Sequence, residues 1–236
     1  MKGMGKILCI ETSTSVCSVA YCENGEVVAS EELFQVNSHA TNLTVLIEKL
    51  FEKESLPTLQ DIDAVAVCSG PGSYTGLRIG VSTAKGICYA IEKPLIAIDS
   101  MVALTYPIAT KQGDNQSPST LYCPLMDARR MEVYTALFND KMEMVEAVSA
   151  KIVDETTFVT VLDKQPVVFF GNGADKCKEV IHHKNAIFLD ECHPLARNLA
   201  QIAWEKYQNK QFEDVAYFEP FYLKDFVATT PKKKVL

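Results

Sequence analysis

Apolar and polar residues change rhythm along this chain, and each change marks an element. Ile7 to Glu11 is a short apolar run ending on an acid and reads as a strand. The polar turn Thr12–Ser13–Thr14–Ser15 follows. Val16 to Glu23 alternates as a second strand, Asn24–Gly25 is a hairpin signal, and Glu26 to Leu33 returns as a third. Asn37 or Ser38 can cap a helix to about Lys53. Its apolar positions Leu43, Leu46, Ile47, Leu50 and Phe51 recur at helical spacing. Pro57 lies beyond its end, and Thr58 can cap a short turn. Ala64 to Ser69 is a buried-type strand, broken by Gly70–Pro71–Gly72. Ser73 can cap a helix that runs to about Ile91, where Lys93–Pro94 ends it. Leu95 to Ile98 is the next strand, and a helix from about Met101 to Ala109 closes the first half.

Lys111 to Ser119 is polar, with Gly and Pro, and reads as a linker. The order then restarts. Leu121 to Asp127 and Glu132 to Phe138 form a hairpin, with a third strand near Met142 to Val148. A helix is expected from about Asp154 to Leu162, a strand at Val167 to Phe170, and a turn at Gly171–Asn172–Gly173. Lys176 to His182 reads as a helix, Ala186 to Leu189 as a strand, and Leu195 to Tyr207 as the last helix. Both halves share one order of elements, which implies a structural duplication. Two βββαβαβ lobes facing each other are the architecture of the actin-like ATPase (ASKHA, ribonuclease H-like) α/β fold, in which nucleotides sit between the lobes. The expected lobes are residues 1–110 and 111–236, with the final segment free to pack back on the first.

The second helix is rich in glycine. Gly76, Gly80 and Gly86 lie within it or at its start, and each costs about 0.8–1 kcal/mol relative to alanine in a helix interior. Gly76, Gly80, Ala84 and Cys88 are four apart and form one narrow stripe. Such a stripe lets another backbone approach closely. It can seat the helix on its own sheet, or seat a helix from another subunit, and both can hold on different faces.

Composition narrows the function. The chain has 236 residues, 47% hydrophobic, with a net charge of −7. That is enough apolar material to fold unaided, and the acidity disfavours tight nucleic-acid binding by this chain alone. No apolar run approaches the roughly 20 residues that span a bilayer, and MKGMGK leads straight into a strand without a signal-peptide core. The eight cysteines are scattered through apolar runs, with no CxxC and no zinc spacing. Buried reduced thiols in a cytoplasmic protein account for them.

The catalytic inventory is poor. Gly70, Gly72 and Gly76 approximate a dinucleotide fingerprint with the spacing off by one, and no P-loop is present. The four histidines, His39, His182, His183 and His193, make neither HxxxH nor HExxH. His39 falls in a first helical turn, where exposure or a local hydrogen bond is expected. No Gly-x-Ser-x-Gly elbow occurs. Arg129 and Arg130 sit at a hairpin tip, where a solvated turn competes with a contact to an anion or RNA. Lys232–Lys233–Lys234 reads as a frayed tail.

ILCIETSTSVCSVAY, VCSGPGSYTGLRIGVSTAKGICYAIEKPLIAIDS, PLMDARRMEVYTALF, FFGNGA and PFYL together resemble the TsaB (YeaZ) family over nearly the whole chain. TsaB is a paralogue of the considerably longer TsaD. The resemblance implies a non-catalytic partner of TsaD in making N6-threonylcarbamoyladenosine (t6A) in tRNA. TsaD transfers the threonylcarbamoyl group, and the ATPase TsaE joins the complex. It further implies a homodimer when the chain is alone, contact with tRNA only through the complex, and no membrane association. No cofactor is implied for the isolated chain, and ATP or ADP has a place only at the contact with TsaD. Where TsaD carries a metal-holding HxxxH, the aligned positions here are Ser100 and Leu104. Glu11 stands where the family usually has Asp, and Met131 where it often has Gly. The family interface maps to the helices at about Ser38–Lys53 and Gly76–Ile91. On them the expected partner-facing residues are His39, Leu43, Leu46, Ile47, Leu50, Gly76, Gly80 and Ala84, although periodicity alone does not assign a face to each. The rival reading is an ATPase or glycoprotease-like enzyme of the same superfamily.

Overall fold

A computed structural model describes residues 5–35, 39–53, 56–112 and 120–224. The apolar runs of the first half build one five-stranded sheet from β1 (Lys6–Glu11), β2 (Val16–Glu23), β3 (Glu26–Phe34), β4 (Ala64–Gly70) and β5 (Leu95–Asp99), in the order β3-β2-β1-β4-β5. β1 pairs antiparallel with β2 and parallel with β4, and β4 pairs parallel with β5. The helices between them are α1 (His39–Phe51), α2 (Tyr74–Ile91) and α3 (Ser100–Gln112). The second half repeats the plan with β6 (Leu121–Asp127), β7 (Glu132–Phe138), β8 (Met144–Ile152), β9 (Val167–Phe170) and β10 (Ala186–Phe188), in the order β10-β9-β6-β7-β8. α4 (Val159–Leu162), α5 (Ala174–Lys178) and α6 (Ala200–Gln208) complete it.

The duplication read from element order is therefore present in the pairing of both sheets. Boundaries in the second half differ from expectation. α4 is a single turn because Asp154 Oδ1 accepts from the Thr156 amide (2.8 Å) and from the Thr156 and Thr157 hydroxyls (2.8 and 2.9 Å), which holds residues 154–157 out of a helix. α5 lies earlier than Lys176–His182, directly after the Gly171–Asn172–Gly173 turn. The last expected helix divides into a 3₁₀ turn at Ala196–Leu199 and α6. The Asn37 and Ser38 caps, residues 113–119 of the linker and the Lys232–Lys234 tail lie outside the described residues.

Strands β1 and β4 are buried on both faces, as parallel strands usually are. On one face, Leu8, Ile10, Tyr21, Val65 and Val67 pack against α1 and α2. On the other, Ile7, Cys9, Ala64, Ala66 and Ile96 meet Ala103 of α3 and Ala196, Leu199 and Ala203 from near the end of the chain. α3 also offers Met101, Leu104 and Ala109 to Tyr122, Met126, Phe138 and Phe170 of the second sheet, so it lies between the sheets. All eight cysteines are free thiols and seven are buried. Among the described residues, no helix is long and apolar enough to cross a membrane.

The segment 213–224 runs back across the first lobe as a strap. The Glu213 amide donates to Leu95 O (2.9 Å), and the Phe221 amide to Ser69 O (2.7 Å). Lys85 of α2 donates to Ala216 O and Phe218 O (3.1 and 2.9 Å). Tyr222 lies against Tyr74, with ring centroids 4.7 Å apart, and Lys224 pairs with Glu132 of the second lobe.

Candidate functional site

At the end of β1, a buried turn decides what the first lobe can do. Thr12, Ser13 and Thr14 connect β1 to β2, where phosphate-binding members of such a fold offer backbone amides. Here the turn is packed onto α2. Thr12 Oγ1 donates to Gly76 O (2.8 Å), the Ser73 amide donates to Ser13 O (2.7 Å), and Ser73 caps α2 by accepting from the Gly76 amide (3.2 Å). The Ser13 amide donates to Glu11 Oε1, and the Val16 amide to Thr14 Oγ1 (3.3 Å). A Cβ added at Gly76 would lie 2.1 Å from Thr12 O, and one at Gly80 would lie 2.2 Å from Thr12 Oγ1. Gly76 and Gly80 thus admit the chain's own turn.

Glu11 is fully buried. Its Oε2 has no hydrogen-bond partner among the described residues, and neither do the buried hydroxyls of Ser13 and Ser100. Burial holds the Glu11 carboxyl above the usual carboxylate range, and burial together with Glu11 raises the Cys68 thiol. A carboxyl raised in the folded state binds its proton more tightly there than in the unfolded chain. Stability therefore falls as pH climbs from about 4.3, the unfolded value, through the folded value, and stays lower above it. Glu11→Gln mimics the protonated form. Urea midpoints are expected to be higher for the variant than for the wild type at pH 8, with the difference shrinking towards pH 4. A constant difference across that range would refute the assignment.

Asp99 and its neighbours are likewise occupied within the fold. Asp99 Oδ1 accepts from the Met101 and Val102 amides (2.7 and 3.1 Å), capping α3. Ser100 and Leu104 are both buried, Leu104 against the second sheet. Among the described residues, no three His, Cys, Asp or Glu side chains gather to hold a metal ion.

The expected partner-facing residues need correction. His39, Leu43, Leu46, Ile47 and Leu50 of α1 and Gly76, Gly80 and Ala84 of α2 all point into the chain's own first lobe. The helical stripe that looked like a contact face is the one the sheet covers, because it is the most apolar. His39 is not exposed, and its Nε2 lies 3.2 Å from Val16 O. The outward face carries Thr44, Val45 and Glu48 on α1, and Ser82, Gly86, Tyr89 and Ala90 on α2. Val45 is 51% exposed and Tyr89 84%. A Cβ added at Gly86 would meet nothing within 4 Å. It is the one glycine of α2 that internal packing leaves unexplained, and its place off the four-residue stripe was the signal for this face.

The matching hairpin of the second lobe is built around Lys176. Its Nζ donates to Arg130 O and Glu132 O (2.7 Å each) and pairs with Asp127. Asp127 Oδ1 accepts from the Arg129 amide (3.0 Å), and the Asp127 amide donates to Asn172 Oδ1 (3.1 Å). Gly173 lets the Gly171–Asn172–Gly173 turn sit against Leu125 O, so the two motifs form one structure. Arg129 and Arg130 both adopt left-handed backbone angles, with φ of 71° and 50°. For non-glycine residues that conformation costs roughly 1–2 kcal/mol each.

Two βββαβαβ lobes with matching strand orders define a member of the actin-like ATPase fold class, here with the turn after β1 packed onto α2. A family model described as TsaD, tRNA N6-adenosine threonylcarbamoyltransferase, matches residues 34–232. The tRNA threonylcarbamoyladenosine biosynthesis proteins TsaB of Escherichia coli and Haemophilus influenzae are 28% and 26% identical to the chain. Each alignment covers 94% of this chain, and 96% and 94% of the respective relative. The solved structure of YeaZ from Pseudomonas aeruginosa superposes with a TM-score of 0.75 at 23% identity, over 93% of this chain and 100% of that one. The chain belongs to the TsaB (YeaZ) family, and its match to the TsaD model fits a paralogue relationship.

Proposed function

We propose that the chain serves t6A biosynthesis as a non-catalytic docking partner of a TsaD-type transferase, with TsaE joining the assembly and tRNA engaged only through it. What supports docking over catalysis is the packing of Thr12 and Ser13 onto α2. There the Ser13 amide, which a phosphate-binding turn would present to an anion, donates to the chain's own Glu11. The outward face of α1 and α2, centred on Val45, Gly86 and Tyr89, is the surface offered to the partner. Because TsaD shares the fold, its equivalent helices can meet this face in a near-symmetric pair. The same face makes the homodimer when the chain is alone, and ATP or ADP belongs to the assembled contact.

Reconstitution tests this. The chain with a TsaD protein, TsaE, tRNA and the threonylcarbamoyl donor is expected to form t6A, and omitting the chain is expected to abolish product. With ATP and magnesium alone the chain should stay below the ordinary enzymatic range of about 1 per second. Formation of t6A by the chain with no TsaD present would overturn the proposal.

A further inference from the structure

The Arg129–Arg130 turn has no role in the docking face or the turn after β1, yet the fold supports it heavily. Its carbonyls and its acid are held from beneath by Lys176, and its entry is held by Asn172. Both nearby carboxylates are already neutralised, Asp127 by Lys176 and Glu132 by Lys224. No described ion pair involves either arginine, and both are exposed. Two adjacent guanidinium groups therefore project from a rigid support on a chain whose net charge is −7. A turn with left-handed backbone normally selects Asn and Gly. Keeping two arginines there, against that preference, points to a use for the side chains.

We infer that this turn is a clamp for the phosphate backbone of RNA. Guanidinium forks match phosphate oxygens in pairs, and backbone contacts of this kind position a nucleic acid without reading its sequence. The inference rests on the proposed function for its choice of RNA over an acidic protein segment, since the relatives are named for tRNA modification. The turn would hold tRNA once the assembly supplies further contacts.

The test is Arg129→Asn with Arg130→Gly, in the full chain assembled with a TsaD protein. Anisotropy of labelled tRNA is read across a salt series. The substitution removes the charges and suits the backbone, so thermal stability should hold or rise. Affinity for tRNA should drop about tenfold, and the slope of log affinity against log salt should shrink by roughly 1–2, one for each lost phosphate contact. Arg129→Lys with Arg130→Lys should restore the slope and part of the affinity. Unchanged tRNA affinity and slope in the Asn–Gly variant would overturn the inference. Loss of TsaD binding by that variant would also overturn it, by placing the turn in a protein contact. If the wild-type chain binds no TsaD protein, the proposed function fails instead. In that case labelled tRNA is titrated at low salt with the chain alone: binding that the Asn–Gly variant loses keeps the clamp, and equal or no binding by both chains overturns it.

Discussion

Gly80→Arg is expected to cost the fold about 3–5 kcal/mol, a large share of the 5–15 kcal/mol that holds a typical domain together. Even a Cβ at this position would lie 2.2 Å from Thr12 Oγ1 and 3.3 Å from Thr12 Cβ. The neighbour is a short β-branched side chain fixed by its own bond to Gly76 O, so it cannot swing away. A full arginine would also carry a charge into a region lined by Val81 and Ala84. Chemical denaturation should show a strongly lowered midpoint, or no cooperative transition at all. Gly76→Ala is the milder version, with overpacking of about 1–3 kcal/mol against Thr12 O. A Gly80→Arg chain as stable as the wild type would show that the turn after β1 does not sit on α2.

The same substitution six residues further along the helix should behave in the opposite way. Gly86 faces open space, so Gly86→Arg removes a helix-interior glycine and should stabilise the isolated chain by about 0.8–1 kcal/mol. Its long charged side chain would stand in the middle of the outward face, between Ser82 and Tyr89. Calorimetry with a TsaD protein should show affinity reduced at least about 100-fold, or about 2.8 kcal/mol, the size of a central interface residue. Val45→Arg on α1 should act in the same direction. Normal docking by both folded variants would remove this face from the proposed function.

The contrast between Gly80 and Gly86 marks what the sequence could and could not tell. Element order was legible because strands such as Ala64–Gly70 and helices such as Tyr74–Ile91 are long, periodic and punctuated by Gly and Pro. The second lobe was less so, since Asp154 and the two threonines after it form local bonds that a periodicity argument does not count. The cap at Ser73 followed from local chemistry and is present. The face of each helix was not legible. A stripe of Leu43, Leu46, Ile47 and Leu50 looks alike whether a sheet or a partner covers it, and only the packing of Leu8, Ile10 and Tyr21 on α1, with Thr12 on α2, separates the cases. The expected return of the final segment to the first lobe named no contacts, because Lys85 meets carbonyls more than a hundred residues away, and a carbonyl has no residue identity to recognise.

The placement of Ala196–Ala203 against Ile7, Cys9, Ala64 and Ala66 has a consequence for biosynthesis. A nascent chain that has only just emerged through β5 owns every strand of its first sheet but lacks the cover for one side of it. α3 supplies part of that cover, but the patch that Ala196–Ala203 closes stays wet until those residues have been made, so strands synthesised much earlier are sealed late. Holding factors that bind apolar surface would find their target in that interval, and a message truncated before codon 196 would yield a product that remains their client.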